Sequence, residues 1–426
     1  MLVYSIAFDP TNPASALAQI PAQPGVFALF AADERAEPYL SRTPSLRRRL
    51  TRFLDARPSQ SKRLRLTEKI ARIEYTLTGS DFESALCLYA ASMQVFGDAT
   101  RKRMHLRPPS FLRMTGDNAY PRVYVTNKIT KSAFDDLFGP FQSRASAEKF
   151  CDEMLNLFEL RRCHEDLNPD PAFPGCIYSE MKMCLAPCFK GCTDDRYAQE
   201  AASVHAFLET RGASLVERVA AERDAASAEL DFERAAQTHA KLQKVQAVTS
   251  LMPAAVHQLS KLVGLILQPS SEPESVSCFL LTHGVILGPV LYSVQGMRLH
   301  NEQSGSTSLY VHPTTIEAVP LAAEDARTAV QTVSRNILEE RLHQTLVELV
   351  SPSAKSKLST QTISDHLCLF SRWFYRTQAQ RIGEAFFAES ADSLPQRQIL
   401  RGISRVYSSN LAEKKWPETS PGHAKS

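Results

Sequence analysis

The stretch that most constrains this 426-residue chain runs from Phe138 to Cys192, because its second half concentrates Cys163, Cys176, Cys184, Cys188 and Cys192 in a sequence with nine cysteines in all. Twelve, seven and three residues separate the first four, and Cys192 lies four positions further on. An odd cysteine count in a long chain argues against a disulfide framework, and such clusters in intracellular proteins hold metal or are catalytic. The plainer alternative is a set of buried thiols, since cysteine packs as a small hydrophobe. It suits Cys87, Cys151, Cys278 and Cys368, which sit singly in apolar runs, better than cysteines flanked by Pro174, Gly175, Pro187 and Gly191. A metal-bound knot is the expectation.

At ~100 to 200 residues per domain, the length calls for two to four units. The first ten residues lack a basic region and their apolar run stops at Asp9 and Pro10, so they do not read as a signal peptide and the cytoplasm is expected. No apolar stretch reaches the ~20 residues of a membrane helix, so no membrane association is expected. Net charge is +3, which says little, but its distribution is uneven. Between Arg42 and Arg72 eleven Lys or Arg face two acids, Asp55 and Glu68. Within this field Arg47, Arg48, Arg52, Lys62, Arg63 and Arg65 are the candidate DNA-binding residues, because phosphate neutralisation releases counterions. Alone, such a run reads equally as a solvated helix face. A second basic patch at Arg101, Lys102, Arg103, Arg107 and Arg113 moves the balance toward nucleic acid.

The fold class read from the pattern is multidomain α+β. Gly25–Phe30 is a β-prone run leading through a turn at Asp33–Arg35 to Pro38–Leu40, a hairpin. Leu46, Leu50, Phe53 and Leu54 recur at helical spacing. Ile73–Thr78 alternates as a strand, Asp81–Phe96 reads as a helix presenting Leu86, Tyr89, Ala90 and Met93, capped by Asp81 or by a neighbour of Ser80, and Tyr120–Val125 reads as a strand. Phe138–Phe141 reads as a turn before a helix over Ala145–Phe158. Leu215–Val248 reads as a helical hairpin, with Leu215, Val219, Ala226 and Leu230 on one helix and Phe232, Ala235, Ala236, Leu242 and Val245 on the other. Its apolar stripe is thin, so it must pack on something else. Strands are expected at Leu262–Leu267, Val276–Leu281 and Val285–Tyr292, with Thr282–Gly284 turning the last pair, then helices at Ala323–Leu349 and Ile363–Phe374. The tail from Trp416 is polar.

The sequence Phe138-Gly139-Pro140-Phe141, then Leu160-Arg161-Arg162-Cys163, Cys176-Ile177-Tyr178 and Met183-Cys184-Leu185-Ala186-Pro187-Cys188 resembles the central segment of the UvrC family of excinucleases. The resemblance implies Cys163, Cys176, Cys184 and Cys188 as ligands of an iron–sulfur cluster, with Cys192 unassigned. Thiolate chemistry leaves tetrahedral zinc open as the alternative. Leu230-Asp231-Phe232-Glu233-Arg234-Ala235-Ala236 resembles the UVR motif, which implies that Leu230, Phe232, Ala235 and Ala236 meet a UvrB-type partner. The likeness extends to about Gly296 and includes no RNase H-like nuclease or helix-hairpin-helix repeats. The divisions expected are a GIY-YIG-like nuclease-fold unit over 1–127, the cysteine-rich segment over 128–204, the UVR hairpin over 205–252, a mixed α+β region over 253–415 and the tail over 416–426.

The resemblance also implies catalytic roles for Tyr39, Arg42 and Arg49, with Mg²⁺ or Mn²⁺ if the unit cuts. Yet Phe27 stands where the family has a tyrosine, Ser41 where it has a glycine, Leu88 where it has the metal-binding glutamate, and Phe111 in a pattern that carries tyrosine and asparagine. A hard cation demands oxygen ligands, and Leu88 offers none. Losing that ligand costs on the order of a hundredfold in rate. Two expectations stand side by side: an excision-repair incision enzyme, and a non-catalytic module that binds DNA and a UvrB-type partner.

Overall fold

The computed structural model describes residues 2–33, 35–54, 66–116, 118–164, 167–297, 333–351, 359–388 and 394–414. The first unit opens with β1 (Tyr4–Ala7) and α1 (Pro13–Gln19), followed by β2 (Gly25–Ala31), β3 (Tyr39–Thr43), α2 (Leu46–Leu54), α3 (Leu66–Lys69), β4 (Ile70–Leu77), α4 (Asp81–Phe96) and α5 (Ala99–Arg103). Its sheet is antiparallel in the order β1-β4-β2-β3. Phe27, Leu29, Ile73 and Tyr75 bury one face against Ile20, Leu46, Leu50 and Leu54, which places α2 there. The close approach requires Gly25, where a Cβ would sit 2.4 Å from the Thr76 carbonyl oxygen and 2.8 Å from Leu46. Helix α4 has the bounds expected of it, and its N-cap is Ser80, whose hydroxyl accepts from the Glu83 N–H. Its packing face differs from the expectation: Phe82, Tyr89 and Ala91 are buried while Ala90 is exposed. Phe82 draws it toward Phe279 and Trp373 of a later unit.

The second sheet joins β5 (Ser110–Met114), β6 (Val123–Thr126), β7 (Leu137–Phe141) and β8 (His257–Gln258) in the order β6-β5-β7-β8. It takes strands from both sides of residue 127 and its last strand from beyond residue 252. The Phe138–Phe141 run is strand rather than the expected turn, because Leu137, Phe138 and Phe141 are all buried and the flat Gly139 lets the Phe111 ring lie against the backbone. Helix α6 (Arg144–Leu155) starts in a reciprocal Ser143–Ser146 capping box. Short α7 (Ile177–Glu180) follows, then α8 (Asp194–Glu209), α9 (Ala213–Ala228) and α10 (Phe232–Ser250). One core holds Phe150 and Met154 of α6, Tyr197 and Phe207 of α8, Val219 of α9 and Val245 of α10. The base of the α9–α10 hairpin is thus buried within its own chain.

The third sheet, β11-β10-β9-β12, contains β9 (Val263–Pro269), β10 (Ser275–Thr282), β11 (Val285–Ser293) and β12 (Glu384–Phe387). His283 and Gly284 turn β10 into β11 with φ of 48° and 79°, the pair of positive values a two-residue hairpin of this hand needs. Around it lie α11 (Arg335–Val350), α12 (Thr360–Phe374) and α13 (Gln396–Lys414). The first residues of the helix expected from Ala323, and the tail from Trp416, lie outside the described residues. His366 and Trp373 serve packing and hydrogen bonding: His366 Nδ1 accepts from the Ile286 N–H at 3.0 Å and Trp373 is buried. Among the described residues no helix is long and apolar enough to cross a membrane.

Candidate functional site: a divided tyrosine and arginine face and an arginine cleft

Strand geometry divides the three expected catalytic residues. Successive side chains on a strand point to opposite faces, so Tyr39 and Arg42, three positions apart on β3, project oppositely. Tyr39 pairs with Leu29 and shares its face with Phe27; its ring lies 6.1 Å from Phe27 and 5.7 Å from Phe53 of α2. The Arg49 guanidinium stands 4.4 Å over the same Phe53 ring. Tyr39 and Arg49 therefore meet around one aromatic.

Arg42 lies on the α4 side. It donates to the Asp81 carbonyl oxygen at 2.9 Å and to the Asp81 carboxylate. The second carboxylate oxygen takes Arg376 at 2.7 Å. These groups line a cleft of about 210 Å³ shared with Leu88, Arg103 and Arg372. Leu88, standing where the family glutamate is expected, is part of its wall. Glu83 is turned away: its carboxylate accepts from the Gly79 N–H at 2.8 Å, and burial raises it from 4.5 to about 7. Phe27 and Phe111 are fully buried, so neither position offers a polar group to a substrate. Ser41 pairs across β2 with Phe27.

Among the expected DNA-binding residues, Arg48 and Arg52 are exposed one turn apart on α2. Arg47 is committed to backbone, with Nε 2.7 Å from the Ile20 oxygen and a terminal nitrogen 3.2 Å from that of Ala18. Lys62, Arg63 and Arg65 lie outside the described residues.

The cysteine segment brings Cys163, Cys176, Cys184 and Cys188 into electrostatic reach of one another. Burial pushes the Cys184 thiol up to about 11, and the other three sulfurs add repulsion. Cys188 is raised by burial and then by Cys176. One donor opposes this at Cys184, where the Ala186 N–H points at Sγ at 3.3 Å. The buried Arg161 guanidinium lies 3.6 Å from Cys163 Sγ. Ala186 and Lys190 adopt φ of 57° and 58°, folding the chain back on itself around Pro187–Phe189. Among the described residues no group of three or more His, Cys, Asp or Glu sits close enough to share a metal ion. Cys192 packs against the core below.

At the far end of the hairpin the stripe changes character. Leu242, Val245 and Val248 are buried at its base, whereas Leu230 and Phe232 at the tip are 71% and 69% exposed. Leu230 also has φ of 60°, a conformation that disfavours every residue but glycine and, less so, asparagine and aspartate. Ala235 is half-buried and Ala236 exposed beside them.

Residues 110–207, which carry β5 through most of α8 and every cysteine of the knot, match the family model of the UvrC/Cho excinuclease middle domain. This middle segment is similar to UvrC. The chain is 27% identical over 242 residues to UvrABC system protein C of Idiomarina loihiensis, which covers 54% of this chain and 37% of that protein. The corresponding protein of Moorella thermoacetica is 28% identical over 234 residues, covering 54% and 37%. That of Haemophilus ducreyi is 24% identical over 291 residues, covering 66% and 45%. The matched stretch thus spans about two fifths of these UvrC relatives. No solved structure gives a significant match.

Sequence reasoning missed Asp81, Arg372, Arg376 and Arg161. The Asp81–Arg376 pair joins positions 295 apart, which no local pattern reports. Arg161 stood inside a quoted motif, and its role as a buried donor beside Cys163 had no signal beyond that position.

Proposed function

We propose that this UvrC-like chain acts in nucleotide excision repair as a module that holds DNA and docks a UvrB-type partner, with efficient cleavage lost from its N-terminal unit. The observation that carries the partner role is Leu230. An exposed leucine in the left-handed region costs roughly 1 kcal/mol of backbone strain and gains nothing from packing within the chain. With Phe232 beside it, it forms an apolar tip on a rigid hairpin, the form that helix-pair recognition uses. The UVR role of this hairpin and the partner's identity rest on the resemblance.

The loss of cleavage is supported by the division of Tyr39 and Arg49 from Arg42 and by Leu88 on the wall of an arginine cleft. A hard cation takes carboxylate oxygens, and the Asp81 carboxylate in that cleft already receives two guanidinium groups. Tyr39 and Arg49 still share one ring, which is what favours the second reading, a metal-dependent incision at that face. Incubation of a damaged duplex with the chain, UvrA- and UvrB-type proteins and Mg²⁺ or Mn²⁺ separates the two: the docking reading leaves the DNA intact.

The cysteine segment is proposed to hold an iron–sulfur cluster, with zinc the alternative. Four soft donors suit either by chemistry. Their arrangement here is too open to share one ion, so the reading is supported by donor type and by their electrostatic coupling, and metal binding would draw the four sulfurs together. A cationic centre would offset the burial and the mutual repulsion that raise Cys184, and the Ala186 N–H that donates to its sulfur favours the thiolate form there. The role is structural, fixing the joint between the basic unit and the hairpin.

A further inference from the structure

We infer that the C-terminal helix α12 converts the former metal side of the nuclease-like unit into a binding cleft for the phosphates of a nucleic-acid backbone, an inference that rests on the DNA-holding role proposed above. The cleft lies between α4–α5 and α12, and its arginines come from both sides: Arg42 and Arg103 from the first unit, Arg372 and Arg376 from the C-terminal region. Among the described residues Asp81 is the one carboxylate on its lining.

The arginines are held in place rather than loose. Arg42 and Arg376 converge on the two oxygens of Asp81, so two guanidinium forks already point at one planar anion. Arg372 is anchored by the carbonyl oxygens of Met104, at 3.1 Å, and His105. Arg103 stacks 3.8 Å over Phe96 and reaches Glu37 at 2.5 Å. Preorganised guanidinium groups around one small volume select an oxyanion, and the surplus of arginine over carboxylate rejects a cation.

Size decides which oxyanion. Pockets that enclose a drug-sized ligand run to about 300–1,000 Å³, and this cleft at about 210 Å³ is below that range. It accommodates a phosphate, not a whole nucleotide. It also does not end there: Arg372 is shared with an adjoining trough of about 680 Å³ bearing Arg107 and Arg144, next to the N-terminus of α6. The buried hydroxyl of Ser371 lines that trough, and its oxygen has no hydrogen-bond partner among the described residues. A cleft for one phosphate opening into a longer basic trough fits a continuous sugar–phosphate strand better than a free anion.

The test uses the full chain, a fluorescein-labelled duplex, and sodium pyrophosphate as the free-phosphate probe. Log affinity is measured against log salt, where each neutralised phosphate adds about 0.9 to the slope. Arg372→Gln with Arg376→Gln should reduce the slope by about 2 and weaken binding at least about tenfold, while Arg372→Lys with Arg376→Lys keeps the slope. Asp81→Asn should tighten binding severalfold by releasing Arg42 and Arg376 to the DNA, a gain that misfolding cannot imitate. If the unaltered chain binds DNA with a steep salt dependence but the Gln pair keeps the full slope and Asp81→Asn changes nothing, the cleft is overturned and the DNA-holding role stands. Pyrophosphate binding that depends on Arg372 and Arg376, with DNA binding indifferent to them, assigns the cleft to a free anion and overturns the backbone assignment. Absence of salt-dependent DNA binding by the unaltered chain overturns both.

Discussion

Arg101 donates through Nε to the carboxylate of Asp365 at 2.7 Å, tying α5 of the N-terminal unit to α12 of the C-terminal region. Asp365 is 1% exposed and also accepts from the Tyr89 hydroxyl at 3.1 Å, so its charge is matched from two helices. The Arg107 N–H adds a bond to Cys368 Sγ. Removing one partner of a buried pair costs ~3–5 kcal/mol, and Arg101 is partly exposed, so Asp365→Ala should cost about 3 kcal/mol in urea unfolding. A loss below about 0.5 kcal/mol, the range of ordinary surface changes, would contradict the joint.

Glu83 makes stability depend on pH in a defined direction. Its carboxyl rises from 4.5 to about 7 because it is buried, so between those values the folded chain binds the proton and the unfolded chain releases it. Stability is therefore lost as pH rises through this window, by at most about 3 kcal/mol. His257 and His366, which burial lowers to about 4, act oppositely: they lose stability as pH falls below 6.5. Both histidine effects cancel in the difference between the unaltered chain and Glu83→Gln. That difference should favour the variant increasingly from about pH 5 to about pH 8. A difference flat with pH would contradict the burial of Glu83.

At the hairpin tip, fold and binding should separate. Leu230→Asp with Phe232→Asp should leave the urea midpoint within about 0.5 kcal/mol, since both side chains are mostly exposed, while abolishing binding to a UvrB-type protein. Leu230→Gly should stabilise the chain by up to about 1 kcal/mol, by relieving the left-handed leucine, and still weaken binding. Binding unaffected by the Asp pair, measured by calorimetry, would remove the tip from the interface.

If the four cysteines hold the proposed metal, Cys184→Ser should remove it, iron or zinc by elemental analysis, and lower the melting temperature. Unchanged metal content and stability in that variant would refute the structural role of the four-cysteine segment.

Much of this was legible in the sequence where the signal is local. The α4 bounds follow from the polar stretch before Phe82 and the apolar run after it, although the cap is Ser80 and not Asp81, and the β10–β11 hairpin follows from His283-Gly284 between two β-prone stretches. The Phe138–Phe141 strand was hidden because glycine and proline usually mark a turn, and only the burial of its flanking side chains against β5 and β8 decides otherwise. The separation of Tyr39 from Arg42 was readable, since an odd offset on a strand changes face, but a motif read as a string of letters conceals it. Arg372 and Arg376 could not be placed at the N-terminal unit before the chain folds, because nothing between them and Asp81 links the two regions in sequence.

What the chain does to DNA separates docking from cleavage most directly. A labelled duplex incubated with the full chain, UvrA- and UvrB-type proteins and Mn²⁺ should be bound with a steep salt dependence and run uncut on a denaturing gel. A nick that Arg49→Ala removes would contradict the loss of cleavage and return Tyr39 and Arg49 to catalysis.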